Sequence, residues 1–232
     1  MTTHEPASRR KLLLVGRGRM GRLVESLAAD EGFQVVGAVT GRTVASQEWP
    51  SADVAIDFSA ADAVPFNVER LARQQIPIVI GTTGWQQHED AVRAIAAAAG
   101  IGVVSAPNFA VGVNMFLAVV DRIGALMAGQ PSFGAWIHES HHAAKRDAPS
   151  GTALAMAERL RRSGYTAELP IASTRAGSMP GTHTLGFDAA SETLTFTHEA
   201  RDRAAFARGA LLAARWLEGR QGWFSMADVL GL

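Results

Sequence analysis

The sequence predicts an α/β fold in two parts, a parallel-sheet half followed by an α+β half. Three observations predict it. A glycine-rich turn, "GRGRMG", stands between a short apolar run and a helical segment. Apolar runs then alternate with helical stretches as far as Pro107, and such alternation implies a parallel sheet covered on both faces. Beyond Pro107 the pattern changes to a long apolar helix and, later, a strictly alternating strand.

Each element has its own signal. "KLLLVGRGRMG", residues 11–21, is a strand that runs straight into the turn. "RLVESLAADEG" carries Leu23, Leu27 and Ala28 at helical spacing, and "FQVVGAV" reads as the second strand. Strand, turn, helix and strand thus close within about thirty residues. "DVAIDF", "IPIVIGTTG" and "IGVVSAP" are further strands, with helices such as "EDAVRAIAAAAG" between them. After Pro107, "VGVNMFLAVVDRIGALM" is a helix and "FGAWIHES" a strand. Residues 165–190 are rich in Gly, Thr and Pro and show little periodicity. In "ETLTFTHEA", Leu194 and Phe196 oppose Thr193, Thr195 and Thr197, as a half-buried antiparallel strand requires. A last helix, "AAFARGALLAARWLEG", sets Phe206, Ala210, Ala213 and Leu217 on one stripe.

Composition removes several function classes. The 22 Lys+Arg balance 22 Asp+Glu, so no overall field recruits nucleic acid or an anionic membrane. With no cysteine there is no disulfide, zinc–thiolate site or thiol nucleophile. The leader "MTTHEPASRRK" mixes charges and turn formers, and "LLLV" after it is too short for a signal peptide. No window approaches the ~20 apolar residues of a membrane helix. The expectation is a soluble, cytoplasmic protein without nucleic-acid or membrane partners.

Gly16, Gly18 and Gly21 form G-x-G-x-x-G. In a dinucleotide site the first glycine permits the turn, the second admits a pyrophosphate and the third packs helix on strand. Such turns also arise from packing alone; here the strand before, the helix after and the βαβ closure favour dinucleotide binding. NAD enzymes usually end the second strand on an acidic residue that bonds the ribose hydroxyl. This chain has "VTGRT", with Thr40 at that position and Arg42 two residues on. The missing carboxylate removes repulsion of a 2′-phosphate, and a guanidinium can clasp it. That favours NADPH over NADH, against Arg42 being an ordinary surface arginine.

The stretch "HESHHAAKRDAPSGTALAMAERL", residues 138–160, admits three readings. His138, His141 and His142 with Glu139 could hold a metal. That spacing does not converge on a strand, and Lys145 and Arg146 oppose a cation, so no metal is expected. As an acid/base site, His141 or His142 passes a proton and Lys145 donates one or holds a carboxylate. Ser150, Gly151 and Thr152 open the next helix, whose free N–H groups suit a carboxylate. A capped helix after a solvated loop is the third reading, and it leaves the histidines and lysine without a task.

"ESHHAAKRDAPSGTA" resembles the signature of the 4-hydroxy-tetrahydrodipicolinate reductase (dihydrodipicolinate reductase) family, E-x-H-H-x-x-K-x-D-A-P-S-G-T-A. "GRGRMG", "DFS", "GTTGW", "APNFAVGVN", "TRAGSMPGTH", "LTFTHEARDRAAFARGA" and "GWFSMADVL" are similar to its other blocks, in the same order. The resemblance covers most of the chain from residue 12 onward. It implies an N-terminal Rossmann dinucleotide-binding domain, residues 1–110 with 204–232. It also implies an α+β substrate domain, residues 111–203, whose open mixed sheet builds a homotetramer. The implied reaction belongs to lysine and diaminopimelate biosynthesis. NADPH or NADH reduces a cyclic imine dicarboxylate, made from pyruvate and aspartate semialdehyde, to tetrahydrodipicolinate with loss of water.

By motif position, His141 would be the proton donor/acceptor and Lys145 a second donor near a substrate carboxylate. His142 would touch substrate, and Ser150, Gly151 and Thr152 would hold a carboxylate. Gly16, Arg17, Gly18, Arg19, Met20 and Gly21 would bind the pyrophosphate. Gly81, Thr82, Thr83, Ala106, Pro107, Asn108 and Phe109 would lie by the nicotinamide ribose. Long family members carry an extra residue in the glycine turn and an acidic residue after the second strand. Only 16 residues separate Thr40 from Asp57, too few for the helix and strand that long members insert, so this is the short form. Two other readings stay open: a different reductase of small carboxylated imines or aldehydes, and an NADP-binding sensor without turnover. Intact His141 and Lys145 argue against the sensor.

Overall fold

A computed structural model describes residues 9–41 and 48–232. They form two compact units, one running to Ala110 and resuming over Arg203–Leu232, the other Val111–Asp202. Along the chain come β1 (Arg10–Val15), α1 (Arg19–Ala28), β2 (Phe33–Val39), β3 (Val54–Asp57), α2 (Val64–Arg73), β4 (Ile78–Ile80), α3 (Glu89–Ala99) and β5 (Gly102–Ser105). The second unit holds α4 (Val111–Met127), β6 (Gly134–His141), α5 (Gly151–Arg162), β7 (Ile171–Arg175), β8 (Thr182–Asp188) and β9 (Thr193–Glu199). The chain ends with α6 (Ala204–Trp216), β10 (Gly222–Phe224) and α7 (Met226–Leu230).

The first unit is a parallel six-stranded sheet in the order β10-β5-β4-β3-β1-β2. Its strands are apolar throughout because both faces are covered. Leu12, Leu14, Ile56, Val79 and Val104 turn to one side, among residues of α1 and α6. Leu13, Val15, Ala55, Ile78 and Val103 turn to the other, among residues of α2 and α3. After β1 the chain goes to β2 on one flank and then to β3 on the other. At such a switch point the carboxyl ends of the strands part, leaving a ligand crevice.

The second unit is a mixed sheet in the order β7-β6-β8-β9, with β6 and β7 parallel and the other pairs antiparallel. Helices α4 and α5 pack on one another. Ala135, Ile137, Leu185 and Phe187 are the buried apolar side chains of the sheet. Gly186 has no side chain because Trp136 lies over it; a Cβ there would meet the indole at 2.1 Å.

Four expectations need correction. Residues 165–190, read as aperiodic, contain β7 and β8; Gly186 and the turn between the strands break the alternation that would have revealed them. The tail adds β10 and α7, too short to carry a period. In α6 the buried stripe uses Ala207, with Phe206 only half-buried. β9 is antiparallel as expected, but it is an edge strand, and Leu194 on its apolar side stays 38% exposed.

Candidate active site

The three glycines of the turn are required for three different reasons. Gly16 has φ +91°, and a Cβ there would lie 2.3 Å from the Phe58 carbonyl oxygen. At Gly21 a Cβ would lie 2.1 Å from the Gly16 carbonyl oxygen, so α1 can approach β1 only without one. Gly18 is extended, caps α1 without a side chain, and has nothing within 4 Å of where a Cβ would be. The first and third glycines therefore build the turn, and the second leaves open space above the N–H groups of α1. That space belongs to a cleft of about 860 Å³ lined by Gly16, Arg17, Gly18, Thr40, Gly41, Phe58 and Ser59. Shape and donors suit a dinucleotide.

Side chains around the turn divide their work. Arg17 donates two hydrogen bonds to Glu25, at 3.0 and 3.1 Å. Arg19 lines a neighbouring groove with Arg22 and Arg203, while Met20 packs on the core. Thr40 is exposed on the lip of the cleft; Arg42 lies outside the described residues.

A buried carboxylate fixes the loops after β3 and β4. Asp57, fully buried at the end of β3, accepts from the Ser59 N–H, from Asn67 Nδ2 and from Thr82 Oγ1 at 2.8, 2.8 and 2.7 Å. Burial raises its pKa, and these hydrogen bonds oppose the rise. The Thr82 hydroxyl is thus turned inward, its N–H donates to the Asp57 carbonyl at 3.2 Å, and its carbonyl accepts from Trp85 Nε1 at 2.9 Å. Gly81 lies against Phe58, whose ring a Cβ would meet at 2.1 Å. Thr83 is exposed. Ala106 and Phe109 are buried, Pro107 is exposed, and Asn108 Oδ1 accepts from the Ala110 N–H at 2.9 Å. Thr82, Ala106 and Pro107 line a second cleft, about 460 Å³, at the carboxyl ends of β4, β5 and β10. Trp85 is a packing residue there, 1% exposed and against Trp223.

The second unit gathers the opening histidine stretch around another buried carboxylate. Glu139 and His141, two apart on β6, point to one face. His141 Nδ1 lies 2.5 Å from Glu139 Oε2. Arg175 on β7 grips both oxygens of Glu139, at 2.8 and 2.6 Å, and the Ser150 N–H donates to Oε1 at 3.1 Å. Burial alone would raise the pKa of Glu139, but hydrogen bonds from Arg175, Ser173, His141 and Ser150 hold it down to about 2. It is ionised at any working pH.

Burial lowers the pKa of His141, and Glu139 opposes that. His183 on β8 stands edge-on to His141 with ring centroids 5.0 Å apart, and its Nε2 is 2.9 Å from Ser150 Oγ. Burial, then the neighbouring His141, pushes His183 down to about 4, so it is neutral. Lys145 Nζ donates to both oxygens of Asp147, at 2.7 and 2.8 Å, which keeps Asp147 below its usual pKa. His142 is half-buried in the turn that Lys145 closes with its N–H on the His142 carbonyl.

Ser150 is the N-cap of α5: its Oγ accepts from the Ala153 N–H and contacts His183. Its hydroxyl is buried and directed inward, away from the role of anion ligand expected for it. Gly151 and Thr152 follow in the first turn, where N–H groups have no intrahelical acceptor. Nothing lies within 4 Å of a Cβ on Gly151. Among the described residues no three His, Asp or Glu side chains group as a metal site; His138 is exposed and bonded to Thr174.

Three residues of this cluster escape a reading of the sequence. In the sequence Glu139 stands out only as a candidate metal ligand, although its spacing from His141 on a strand puts the two together. Arg175 and His183 sit on β7 and β8, the strands that showed no period.

Comparison with known proteins covers both units. A family model described as "Dihydrodipicolinate reductase, N-terminus" matches residues 10–109, and "Dihydrodipicolinate reductase, C-terminus" matches residues 112–230. The chain is similar to a 4-hydroxy-tetrahydrodipicolinate reductase of Christiangramia forsetii, 32% identical over 94% of this chain and 97% of that one. It is also similar to one of Acidiphilium cryptum, 38% identical over 93% and 94%. Among solved structures it resembles a dipicolinate-bound dihydrodipicolinate reductase from Paenisporosarcina sp. TG-14, with TM-score 0.79, 20% identity and coverage of 95% and 98%. The chain belongs to the dihydrodipicolinate reductase family, as an oxidoreductase that works with a nicotinamide cofactor.

Proposed function

We infer that the chain reduces 4-hydroxy-tetrahydrodipicolinate with NAD(P)H, with loss of water, in diaminopimelate and lysine biosynthesis. The observation that carries its chemistry is a histidine seated on a buried carboxylate beside the open first turn of a helix. His141 on Glu139 can move a proton, and Gly151 and Thr152 can hold a carboxylate. A cyclic imine dicarboxylate needs both.

The coenzyme, when bound, supplies a hydride. Gly16 to Gly21 and the N–H groups of α1 hold its pyrophosphate. Gly81, Thr82 and Thr83 hold the nicotinamide ribose, with the backbone of Ala106, Pro107, Asn108 and Phe109. NADPH is preferred to NADH, because Thr40 stands where a carboxylate would repel a 2′-phosphate and Arg42 follows. Loss of the substrate's 4-hydroxyl with a ring proton, as water, forms a double bond conjugated with the imine, and hydride addition to that double bond leaves an enamine-like carbanion. His141, charged at Nε2, gives it a proton, and the imidazolium that carries this proton is stabilised by ionised Glu139. Lys145 lies in the same turn as a second donor near the substrate carboxylate, and His142 touches the substrate. Ser150 contributes by capping α5, which leaves the N–H groups of Gly151 and Thr152 for the carboxylate.

We also propose a cytoplasmic homotetramer; the exposed apolar side of edge strand β9 is what supports assembly. The test of function is the loss of NADPH absorbance with substrate made in place from pyruvate and aspartate semialdehyde. Rapid turnover that His141→Gln abolishes, with coenzyme binding intact, is the expected result. Coenzyme binding without turnover in the native chain would refute the reading.

A further inference from the structure

We propose that Glu139 is the positioning residue of the acid: it holds His141 in the Nδ1–H tautomer and locks it in register with the carboxylate pocket of α5. The inference rests on His141 carrying the proton. It goes further by naming which nitrogen works and which groups set its charge.

Geometry leaves Nδ1 no other task. It lies 2.5 Å from Glu139 Oε2, and a carboxylate gripped by Arg175 can only accept. The neutral ring therefore keeps its proton on Nδ1, and Nε2 is the nitrogen that gains and loses one. The Nε2 edge faces Gly181, where a Cβ would stand 3.2 Å from both Cδ2 and Nε2. Glycine at that position keeps the working edge uncovered.

The second link is mechanical. Glu139 Oε1 takes the N–H of Ser150, the residue whose side chain caps α5. A single carboxylate thus ties the proton carrier to the helix end that receives the substrate's anionic group. Arg175 extends the clamp, since its Nη2 also donates to the Asp147 carbonyl at 2.6 Å, in the loop that carries Lys145.

Charges facing His141 oppose one another. Glu139 on β6 favours the imidazolium. Arg175 on β7, Lys145 after β6 and burial disfavour it. Asp147 pairs with Lys145, and His183 on β8 stays neutral, with His198 on β9 beyond it. The N-terminal end of α5 adds partial positive charge. Glu139 is the one carboxylate in contact with the ring among the described residues, so removing its charge must move the titration of His141 to lower pH.

The experiment has two arms. In the native chain, 15N spectra of the histidine rings, with His141 assigned by its loss in His141→Gln, should show Nδ1–H for the neutral ring. Glu139→Gln keeps an oxygen acceptor but removes the charge. Its kcat at pH 7.5 should fall about tenfold to hundredfold, no more than the lower end of a general acid's whole contribution, because the acid itself remains. The acid-requiring limb of its kcat/KM profile should move down by about one pH unit, with coenzyme KM unchanged and Glu139→Asp recovering part of the loss. An Nε2–H tautomer in the native chain, or a Glu139→Gln profile that superimposes on the native one, overturns the proposal. If Glu139→Gln does not fold, the native tautomer decides. Retained activity in His141→Gln would instead sink the assignment of His141 itself.

Discussion

Replacing Gly21 and Gly18 by alanine should break two different things. At Gly21 the new methyl would stand 2.1 Å from the Gly16 carbonyl oxygen, well inside the roughly 3.3 Å at which carbon and carbonyl oxygen meet. Both groups belong to backbone that is hydrogen-bonded or packed, so the helix must slide. Overpacking of this kind costs about 1–3 kcal/mol, and backbone on both sides puts Gly21→Ala at the upper end. In a protein of this length each kcal/mol moves Tm by about 2–4 °C, so a drop of roughly 6–12 °C is expected. At Gly18 the backbone is extended, with φ −72°, and open space surrounds the new methyl. The loss there is confined to an N-cap preference of well under about 1 kcal/mol. On the proposed binding mode, however, that methyl would occupy the place of the pyrophosphate. Losing one hydrogen bond to a charged group, about 1.5–3 kcal/mol, weakens coenzyme binding at least about tenfold. Thermal melts and a fluorescence titration with NADPH separate the two. A Gly21→Ala protein that melts like the native one, or a Gly18→Ala protein with unchanged affinity, would refute the division of roles.

Arg42→Ala should weaken NADPH binding more than NADH binding in the same titration; an equal loss for both coenzymes would show that Arg42 does not meet a 2′-phosphate. Stability should fall between pH 6.5 and 4. His183 is buried and neutral with a pKa of about 4, so in that window the unfolded chain binds the extra proton, and up to about 3 kcal/mol is lost. Glu139, held at about 2, adds a further loss below its unfolded pKa of about 4.5, as the unfolded carboxylate takes up a proton first. Urea midpoints at pH 7 and 5 should differ in the native chain, and the difference should shrink in His183→Gln, with a remainder from His141 and His198, which burial also lowers; an undiminished difference would remove His183 as the cause.

The parts of the fold that could be read from the sequence are those whose periodicity is local. Helix α4 and strand β2 begin and end where their apolar patterns do, because a helix stripe or a buried strand is specified by its own residues. Strands β7 and β8 could not be read that way. Much of β7 faces solvent in part, and β8 carries Gly186 under a tryptophan from the neighbouring strand. Its alternation is completed by a residue from elsewhere in the chain.

The same distinction decides what was legible in the site. Gly16 and Gly21 build their turn by lacking a side chain, Gly18 leaves open space, and Gly151 and Thr152 stand in the first turn of a helix; the order of residues along the chain determines all of these. Histidines and a lysine in one turn also announce proton chemistry by their type alone. What tunes them comes across the sheet: Arg175 and His183 are more than thirty residues from His141 in sequence yet share its buried face. Ser150 shows the consequence. Its place in the motif suggested a hydroxyl for the substrate, but the imidazole of His183 and the N–H of Ala153 claim that hydroxyl first. A polar residue beside a helix start is claimed by the cap whenever the cap is buried, since an unsatisfied buried donor costs about 1–3 kcal/mol. The anion is then left to the backbone donors that the cap does not use.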